Sequence, residues 1–194
     1  MAKIRIQETP IADLLVIEPQ VFPDQRGYFL ESFNRKAFRE AGLTMEFVQD
    51  NMSRSTKGVL RGLHFQTRRP QGKLAKVTRG KVFDVAVDLR KFSPTFSSWY
   101  GITLYDEAHK MFYVPPGFAH GFLVLSKVAD FHYKCTDFYD PGGEGGIRWD
   151  DPDINVDWPL GDIVPILSEK DQVLPFFKGM ESPFTYEGKG SHSL

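Results

Sequence analysis

The segment VLRGLHFQ, residues 59–66, contains three residue types that a strand built only for packing would not need. Its apolar residues are typical of a β-strand, yet it also carries Arg61, Gly62 and His64. Histidine has an unperturbed pKa of about 6.5, so it can accept and release a proton near neutral pH. Arginine offers bidentate hydrogen bonds to phosphate groups. A strand that only buried one face would hold none of these three residues, so the segment is a candidate for a functional role.

Four other candidate residues are ambiguous when each is considered alone. Lys73 begins a strand after the turn Pro-Gln-Gly, where a lysine is often simply solvated. Asp171 follows Ser-Glu-Lys and would also suit the first turn of an ordinary helix. His132 and Tyr133 are neighbours in a strand, so their side chains point to opposite faces and only one can face an interior pocket. The sequence leaves open which of the two does so.

His120 ends the sequence P-x-G-x-x-H, which resembles the second motif of the cupin jelly-roll superfamily. In metal-binding cupins this histidine is a ligand, and the first motif supplies H-x-H and a later Glu. Here the corresponding strand offers only His64. Two histidines are too few for a metal site, so we expect no metal. His109, in a polar turn, and His192, near the end of the chain, are expected at the surface.

The elements that must position these residues are mostly short strands separated by turns. The segment VFDVAVDL alternates cleanly, with its odd-numbered residues 83–89 on one face and its even-numbered residues 82–88 on the other. Many short strands with turn signals and one early helix indicate an antiparallel sandwich or barrel. The predicted strands are 14–22, 28–33, 46–51, 59–66, a hairpin over 73–90, two or three strands in 97–125, and 129–139; helices are predicted over 34–43 and just before Pro175, and a loop over 53–58.

The composition argues against several classes of partner. The chain of 194 residues suits one domain, and its net charge of −1 gives no bulk attraction to nucleic acid or to anionic lipid. No apolar run approaches the ~20 residues of a membrane helix, and charges interrupt any signal-peptide core at the N-terminus. Cys135 is the single cysteine and has no internal disulfide partner. We therefore expect a cytoplasmic protein.

Five linked segments together resemble one family closely, from about residue 4 to 178. They look like those of dTDP-4-dehydrorhamnose 3,5-epimerases. The resemblance implies an all-β, cupin-type jelly-roll sandwich or barrel with short peripheral helices, a homodimer, and no metal or organic cofactor. It implies a single domain over 1–194, with about 180–194 as a flexible C-terminal tail. The matching segments are VFPDQRGYFLESF, FVQDNMSRSTKGVLRGLHFQ, VPPGFAHGFLVLS, YKCTDFYDPGGEGGIRWDDPD and LSEKD.

The same resemblance implies an isomerase of dTDP-L-rhamnose biosynthesis and a role for each candidate residue. Its substrate would be dTDP-4-dehydro-6-deoxy-D-glucose, a dTDP-4-keto-6-deoxy sugar, inverted at C3 and C5 to dTDP-4-dehydro-L-rhamnose. His64 would be the general base with Asp171 as its partner. Lys73 would face the C4 carbonyl oxygen, and Tyr133 would be the acid on the opposite face. Substrate-contact positions are matched by Arg26, Glu31, Gln49, Asn51, Arg61, His120, Glu144 and Lys170, and aromatic residues that flank the thymine are matched by Phe22 and Tyr139.

These residue types suit epimerisation next to a ketone. Both C3 and C5 flank the C4 carbonyl, so one base near C4 reaches both protons. Loss of either proton creates an enolate, whose oxygen needs a fixed cation or donor, a role that suits Lys73. Inversion requires the new proton to arrive on the other face, where a tyrosine hydroxyl delivers it. A base and an acid on one face would only return the starting sugar.

Three alternative functions remain open at this point. A mono-epimerase that acts at C3 or C5 only would need the same base and acid. A metal-dependent cupin oxygenase or isomerase would need a ligand set around His120. A non-catalytic cupin that binds a sugar nucleotide would need no acid and base pair.

The strand VLRGLHFQ contains a conflict that its glycine resolves. Strict alternation puts Arg61 and His64 on opposite faces of a regular strand. The family resemblance instead implies that both face the same substrate site. Glycine inside a strand often marks a bulge or a close backbone approach. We therefore predict a bulge or sharp local twist at Gly62 that turns both side chains inward.

Overall fold

The computed structural model describes residues 4–188, in which two antiparallel sheets face each other. The six-stranded sheet has the order β1-β2-β10-β7-β12-β5, and the five-stranded sheet has the order β13-β6-β11-β8-β9. Strands β3 and β4 pair only with each other, as a separate hairpin. The elements are β1 Ile4–Glu8, β2 Leu15–Pro19, β3 Val21–Asp24, β4 Gly27–Leu30, α1 Arg35–Glu40, β5 Gln49–Thr56, β6 Leu60–Gln66, β7 Lys73–Arg79, β8 Lys81–Asp88, β9 Trp99–Tyr105, β10 Met111–Val114, β11 Phe118–Val124, β12 Val128–Cys135, β13 Glu144–Gly146 and α2 Glu169–Gln172.

The predicted all-β jelly roll with short peripheral helices is confirmed by this architecture. The alternation in β8 shows how its layers form. Val82 and Ala86 pack into the core between the two sheets. Val85, Val87 and Leu89 face the other side, where the C-terminal part of the chain covers the five-stranded sheet. Both faces of β8 are therefore buried, as its alternation of apolar residues on two sides requires.

The early helix α1 closes the outer face of the six-stranded sheet. It begins after Asn34, whose side chain accepts hydrogen bonds from the backbone of Lys36 and Ala37. Phe38 is buried and packs with Leu43 in a third apolar cluster. The prediction of a helix here is confirmed, with shorter bounds than 34–43.

Most of the polar segment predicted as a loop over 53–58 is instead strand, and only Lys57 and Gly58 form a turn. Strand β5 continues to Thr56 and pairs with β12 along its whole length, from Gln49 opposite Cys135 to Thr56 opposite Val128. Its residues are polar because one side of β5 faces a cavity and the other faces solvent. The backbone pairing with β12 outweighs the low strand preference of this composition.

The C-terminal region packs against the rest of the protein beyond residue 180, where a flexible tail was predicted. Ser182 and Phe184 are buried, and the backbone of Lys91 donates a hydrogen bond to Phe184 O. The prediction of a flexible tail from about 180 is therefore wrong for residues 182–186, because these residues pair with the segment after β8. His192 and residues 189–194 lie outside the described residues. No helix within residues 4–188 is long and apolar enough to span a membrane.

Candidate active site

A cavity of about 510 Å³ opens between the two sheets. It is lined by residues of β5, β6, β7, β11 and β12 and by the segment that leads into α2. The sheets therefore bring together residues that are more than 100 positions apart in the chain. Eight of the predicted site residues line it: Asn51, Arg61, His64, Lys73, His120, Tyr133, Lys170 and Asp171.

Strand β6 is irregular at Gly62, which lets both of its polar side chains reach the cavity. His120 of β11 lies opposite His64, but Phe122, two positions on, lies opposite Arg61, so β6 contains one extra residue. Gly62 has a φ of 120°, and a Cβ atom there would lie 2.6 Å from the Cα of Gly121. Only glycine fits this position without displacing backbone. The predicted bulge is confirmed, since Arg61 and His64 both line the cavity.

His64 forms a hydrogen-bonded pair with Asp171. The distance from His64 Nε2 to Asp171 Oδ1 is 2.5 Å. Ser168, which caps α2, donates to Asp171 Oδ2 at 2.8 Å and accepts from the backbone N–H of Asp171. Burial opposes the charge on Asp171, but the hydrogen bonds from His64 and Ser168 outweigh it and lower the pKa of the carboxyl group. With Nε2 held by an ionised carboxylate, Nδ1 is the ring nitrogen that can accept a proton.

Tyr133, rather than its neighbour His132, faces the cavity. This answers the question that the sequence left open about these two residues. Tyr133 lies on β12 next to Lys73 of β7, and Lys73 Nζ is 5.9 Å from the centre of the tyrosine ring. Burial raises the pKa of Tyr133, and the nearby Cys135 adds to this shift. The tyrosine therefore keeps its proton more firmly than a solvated phenol does.

The pKa of Lys73 is lowered in the same environment. Burial of its ammonium group is the largest cause, and the negative charges of Asp84 and Glu144 oppose the shift. A lysine with a lowered pKa shares its proton readily with an acceptor of matching basicity. Lys73 can therefore act as a strong hydrogen-bond donor to a developing anion.

His120 forms a second imidazole–carboxylate pair, with Asp84. The distance from His120 Nε2 to Asp84 Oδ1 is 2.6 Å, and both residues are buried. Asp84 Oδ2 makes no hydrogen bond within residues 4–188. No group of three or more His, Cys, Asp and Glu side chains in the described part of the chain is arranged to hold a metal ion. The cupin-like motif histidine is thus held by a carboxylate from the neighbouring strand β8.

A chain of polar contacts lies beside the cavity, around Lys170. Gln49 Nε2 donates to Asn51 Oδ1 at 3.1 Å, and Gln49 Oε1 accepts from the backbone of Tyr139 at 3.0 Å. The Tyr139 hydroxyl donates to Glu144 at 3.2 Å, and Glu144 forms an ion pair with Lys170. The hydrogen bond from Lys170 lowers the pKa of Glu144. The predicted residues Gln49, Tyr139 and Glu144 are therefore connected to cavity residues although they do not line the cavity.

Three predicted residues are not brought to the cavity of their own chain. Phe22 and Arg26 lie on the β3–β4 hairpin, where Phe22 is exposed and Arg26 pairs with Asp24. Glu31 follows the hairpin and accepts a hydrogen bond from Asn34 at 2.9 Å. The hairpin pairs with neither sheet, which explains the separation.

Sequence reasoning missed several residues that support the cavity. Ser55 accepts hydrogen bonds from Arg61 Nε and Nη2 at 3.3 and 3.2 Å, and Ser53 lines the cavity. Both were hidden by the interpretation of 53–58 as a loop. Asp84 carried a usable signal, because it is a charged residue in the middle of β8 with apolar residues on both sides of it in the sequence.

Comparison with known proteins identifies close relatives of this chain. Residues 8–179 match the family described as dTDP-4-dehydrorhamnose 3,5-epimerase. A protein of that name from Pseudomonas aeruginosa is 56% identical over 163 residues, which cover 84% of this chain and 90% of the relative. The protein of that name from Methanothermobacter thermautotrophicus is 54% identical over 173 residues, covering 89% of this chain and 94% of the relative.

A solved structure extends this similarity to the fold. The dTDP-6-deoxy-D-glucose-3,5-epimerase from Legionella pneumophila, crystallised in complex with dTDP-4-keto-L-rhamnose, is 49% identical. It superposes with a TM-score of 0.91 and covers 95% of this chain and 99% of its own chain.

Proposed function

Because the chain belongs to the dTDP-4-dehydrorhamnose 3,5-epimerase family, which consists of isomerases, we propose roles for the cavity residues in that reaction. The substrate is dTDP-4-dehydro-6-deoxy-D-glucose, and inversion at C3 and C5 gives dTDP-4-dehydro-L-rhamnose, in dTDP-L-rhamnose biosynthesis. One observation carries the assignment. A histidine–carboxylate pair, a lysine and a half-buried tyrosine line the same cavity, which is large enough for a sugar ring.

The proposed base is Nδ1 of His64. Asp171 accepts the hydrogen bond from Nε2, so it fixes the tautomer in which Nδ1 is free to take a proton. When the imidazolium forms, the ionised carboxylate stabilises it. The lowered pKa of Asp171 supports this role, because the carboxylate stays charged when its partner gains a proton.

The proposed stabiliser of the enolate is Lys73. Removal of the proton from C3 or C5 places negative charge on the C4 oxygen. An ammonium group held in a low-dielectric site stabilises such charge more strongly than water does. The lowered pKa of Lys73 is compatible with this role, since the developing enolate raises it again.

The proposed acid is Tyr133. Its raised pKa keeps the phenol protonated, so it can deliver a proton to the face of the ring opposite His64. After one inversion, His64 holds the abstracted proton and Tyr133 has lost its own. Exchange with solvent resets both groups before the second carbon reacts. Each inverted carbon therefore acquires a solvent hydrogen.

The remaining cavity residues are proposed to bind the substrate. Arg61, held by Ser55, suits the diphosphate because its guanidinium can bind two oxygens at once. His120, Asn51 and Lys170 offer further polar groups on the wall. Gln49, Glu144 and Tyr139 are proposed to bind the nucleoside beside the cavity, with the half-exposed Tyr139 ring against the thymine.

We propose that the chain works as a homodimer in which the β3–β4 hairpin contributes to the site of the other copy. The hairpin carries the predicted substrate contacts Phe22 and Arg26, yet it lies apart from its own cavity. Its aromatic residues Phe22, Tyr28 and Phe29 are exposed, as expected of a surface that another chain covers. We further propose a cytoplasmic single-domain protein that needs no metal or organic cofactor.

Mixing two inactive variants tests the shared site. Arg26→Ala and His64→Ala chains are unfolded and refolded together, with each variant refolded alone as the control. If the hairpin serves the partner, each mixed dimer contains one intact site, and activity returns. If activity does not return although mixed dimers form, the hairpin does not cross between chains.

Proton NMR of the 4-keto sugar nucleotide in D₂O tests the reaction itself. The expected result is deuterium at both C3 and C5, because Tyr133 delivers solvent hydrogen at each carbon. Deuterium at one carbon only would identify a mono-epimerase. Binding without any exchange would identify a non-catalytic cupin. Activity that disappears with chelator and returns with a metal ion would overturn the cofactor-independent mechanism.

A further inference from the structure

One hydroxyl group on the wall of the cavity has no partner inside the protein. Within residues 4–188, two buried side-chain polar atoms make no hydrogen bond, Ser53 Oγ and Asp84 Oδ2. Ser53 lines the cavity, whereas Asp84 lies behind His120. Burying a hydroxyl without a hydrogen bond is unfavourable for the folded protein. A group kept in this condition on the wall of a ligand-sized cavity is suited to bind a ligand.

Ser53 belongs to a row of polar side chains on the inner face of β5. Every second residue of a strand faces the same side, so Gln49, Asn51, Ser53 and Ser55 form this row. The other members have partners: Gln49 donates to Asn51, and Ser55 accepts two hydrogen bonds from Arg61. Among the four, Ser53 has the hydroxyl that the described protein does not use.

The position of Ser53 in the sheet indicates which part of a substrate it meets. It lies opposite Phe131, two pairs along from the pair of Asn51 and Tyr133 and therefore next to it on the same face. In the other direction, the next residue on the same face is Ser55, which holds Arg61. Ser53 therefore lies between the proposed acid and the proposed diphosphate anchor.

We propose that Ser53 is a substrate-positioning residue whose hydroxyl donates a hydrogen bond to an oxygen between the reacting sugar ring and the diphosphate. This proposal rests on the proposed function, because it takes the ligand to be a nucleoside-diphosphate sugar. Two groups offer such an oxygen: a hydroxyl of the sugar and the phosphate attached to it. Both accept hydrogen bonds from a serine hydroxyl.

The substitution Ser53→Ala should have two effects of opposite sign. Without ligand, the variant should melt at the same temperature as the wild type or about 2 °C higher, because an unpaired buried hydroxyl is removed. Its affinity for dTDP-glucose, which has no 4-keto group, should fall about three- to tenfold in calorimetry, because one hydrogen bond is lost. A serine that only supports the fold would lower the melting temperature and leave the affinity unchanged.

Two ligands and one matched variant complete the experiment. Weaker binding of dTDP-glucose with unchanged binding of dTDP assigns the sugar hydroxyl, and weaker binding of both assigns the phosphate. Unchanged binding of both by Ser53→Ala overturns the proposal. Ser55→Ala is the matched control: it should lower the melting temperature and weaken both ligands, because it releases Arg61.

The same measurements separate this proposal from the proposed function. A wild-type protein that binds both ligands but exchanges no deuterium would refute the epimerase mechanism and leave the Ser53 result to stand on its own. A wild-type protein that exchanges deuterium, with Ser53→Ala binding both ligands normally, would refute only the role of Ser53.

Discussion

The two imidazole–carboxylate pairs of this cavity differ in exposure and in how their carboxylates are held. The His64 side chain is 30% exposed and its partner Asp171 only 4%, whereas His120 and Asp84 are 6% and 0% exposed. Asp171 uses both carboxylate oxygens, for His64 and Ser168, whereas Asp84 uses one.

The two pairs are also built on different kinds of element. Asp84 and His120 lie on adjacent strands of one sheet, β8 and β11, so the sheet alone sets their geometry. Asp171 comes from the short helix α2, more than 100 residues after His64 in the chain. The exposed pair can exchange protons with solvent, while the enclosed pair is suited to hold a side chain in place. Similar pairs can thus serve turnover or positioning, depending on access to water.

The largest expected effect is that of His64→Ala. Loss of the base should reduce kcat by about 10³- to 10⁴-fold, in the range typical of general acid–base catalysis. Affinity for dTDP-glucose should change little, because the ring is proposed to act on protons. His132→Ala, which changes a histidine that does not line the cavity, is the control. Full activity of His64→Ala would show that another residue is the base, and His120 would be the first candidate.

The second-largest expected effect is a difference in kcat between substitutions of the two carboxylates, Asp171 and Asp84. Asp171→Asn should reduce kcat by about 10²-fold or more, because the amide no longer fixes the His64 tautomer or stabilises the imidazolium. Asp84→Asn should reduce kcat less, since its partner His120 only positions substrate. Single-turnover rates measured for both variants test the order. A greater loss for Asp84→Asn would reverse the roles assigned to the two pairs.

The alkaline side of the pH profile of kcat/KM should also distinguish Asp84 from Asp171. Lys73 must keep its proton to stabilise the enolate, and the charge of Asp84 raises the pKa of Lys73 against the larger effect of burial. Removing that charge in Asp84→Asn lowers the pKa of Lys73, so kcat/KM should begin to fall at a lower pH than in the wild type. Asp171→Asn should leave the alkaline limb where it is. Identical alkaline limbs in the wild type and Asp84→Asn would contradict this coupling.

The smallest expected effect comes from removing the hydroxyl of Ser168, which is hydrogen-bonded to Asp171. Ser168→Ala removes a helix cap and a hydrogen bond to the carboxylate, which should cost about 1 kcal/mol of stability at neutral pH. The pKa of Asp171 is lowered by folding, so its stabilisation is present above the unfolded pKa, about 3.9, and is lost as the pH falls through the folded pKa. The difference between wild type and Ser168→Ala in urea unfolding should therefore shrink in acid. A constant difference from pH 7 to pH 3 would show that the cap acts without the carboxylate.

The sequence alone predicted which residues face each layer of the fold better than it predicted which residues form the site. The alternation in β8 was enough to divide Val82 and Ala86 from Val85 and Val87, because burial repeats every two residues. The same logic failed for β5, where a cavity wall looks like a polar loop. No local pattern could pair His64 with Asp171, since only the fold brings them together, and that expectation came from family resemblance.

The position of the hairpin shows a second limit of sequence reasoning. Phe22 and Arg26 matched substrate contacts by resemblance, yet a match in one chain does not say which chain's cavity they serve. The choice between His132 and Tyr133 required the register of β12 against its neighbours. Resemblance gave the residue types, and the pairing of strands gave their direction.

The bulge in β6 also limits how this site can be redesigned. A Cβ atom on Gly62 would meet Gly121, and a Cβ atom on Gly121 would lie 2.6 Å from Arg61 O, so each glycine depends on the other. Substituting either glycine alone would press the new side chain against the backbone of the neighbouring strand. Substituting both would place two such side chains in the same space. Libraries that aim at new sugar substrates should therefore keep both glycines fixed and vary residues such as Ile166, which lines the cavity and is 53% exposed.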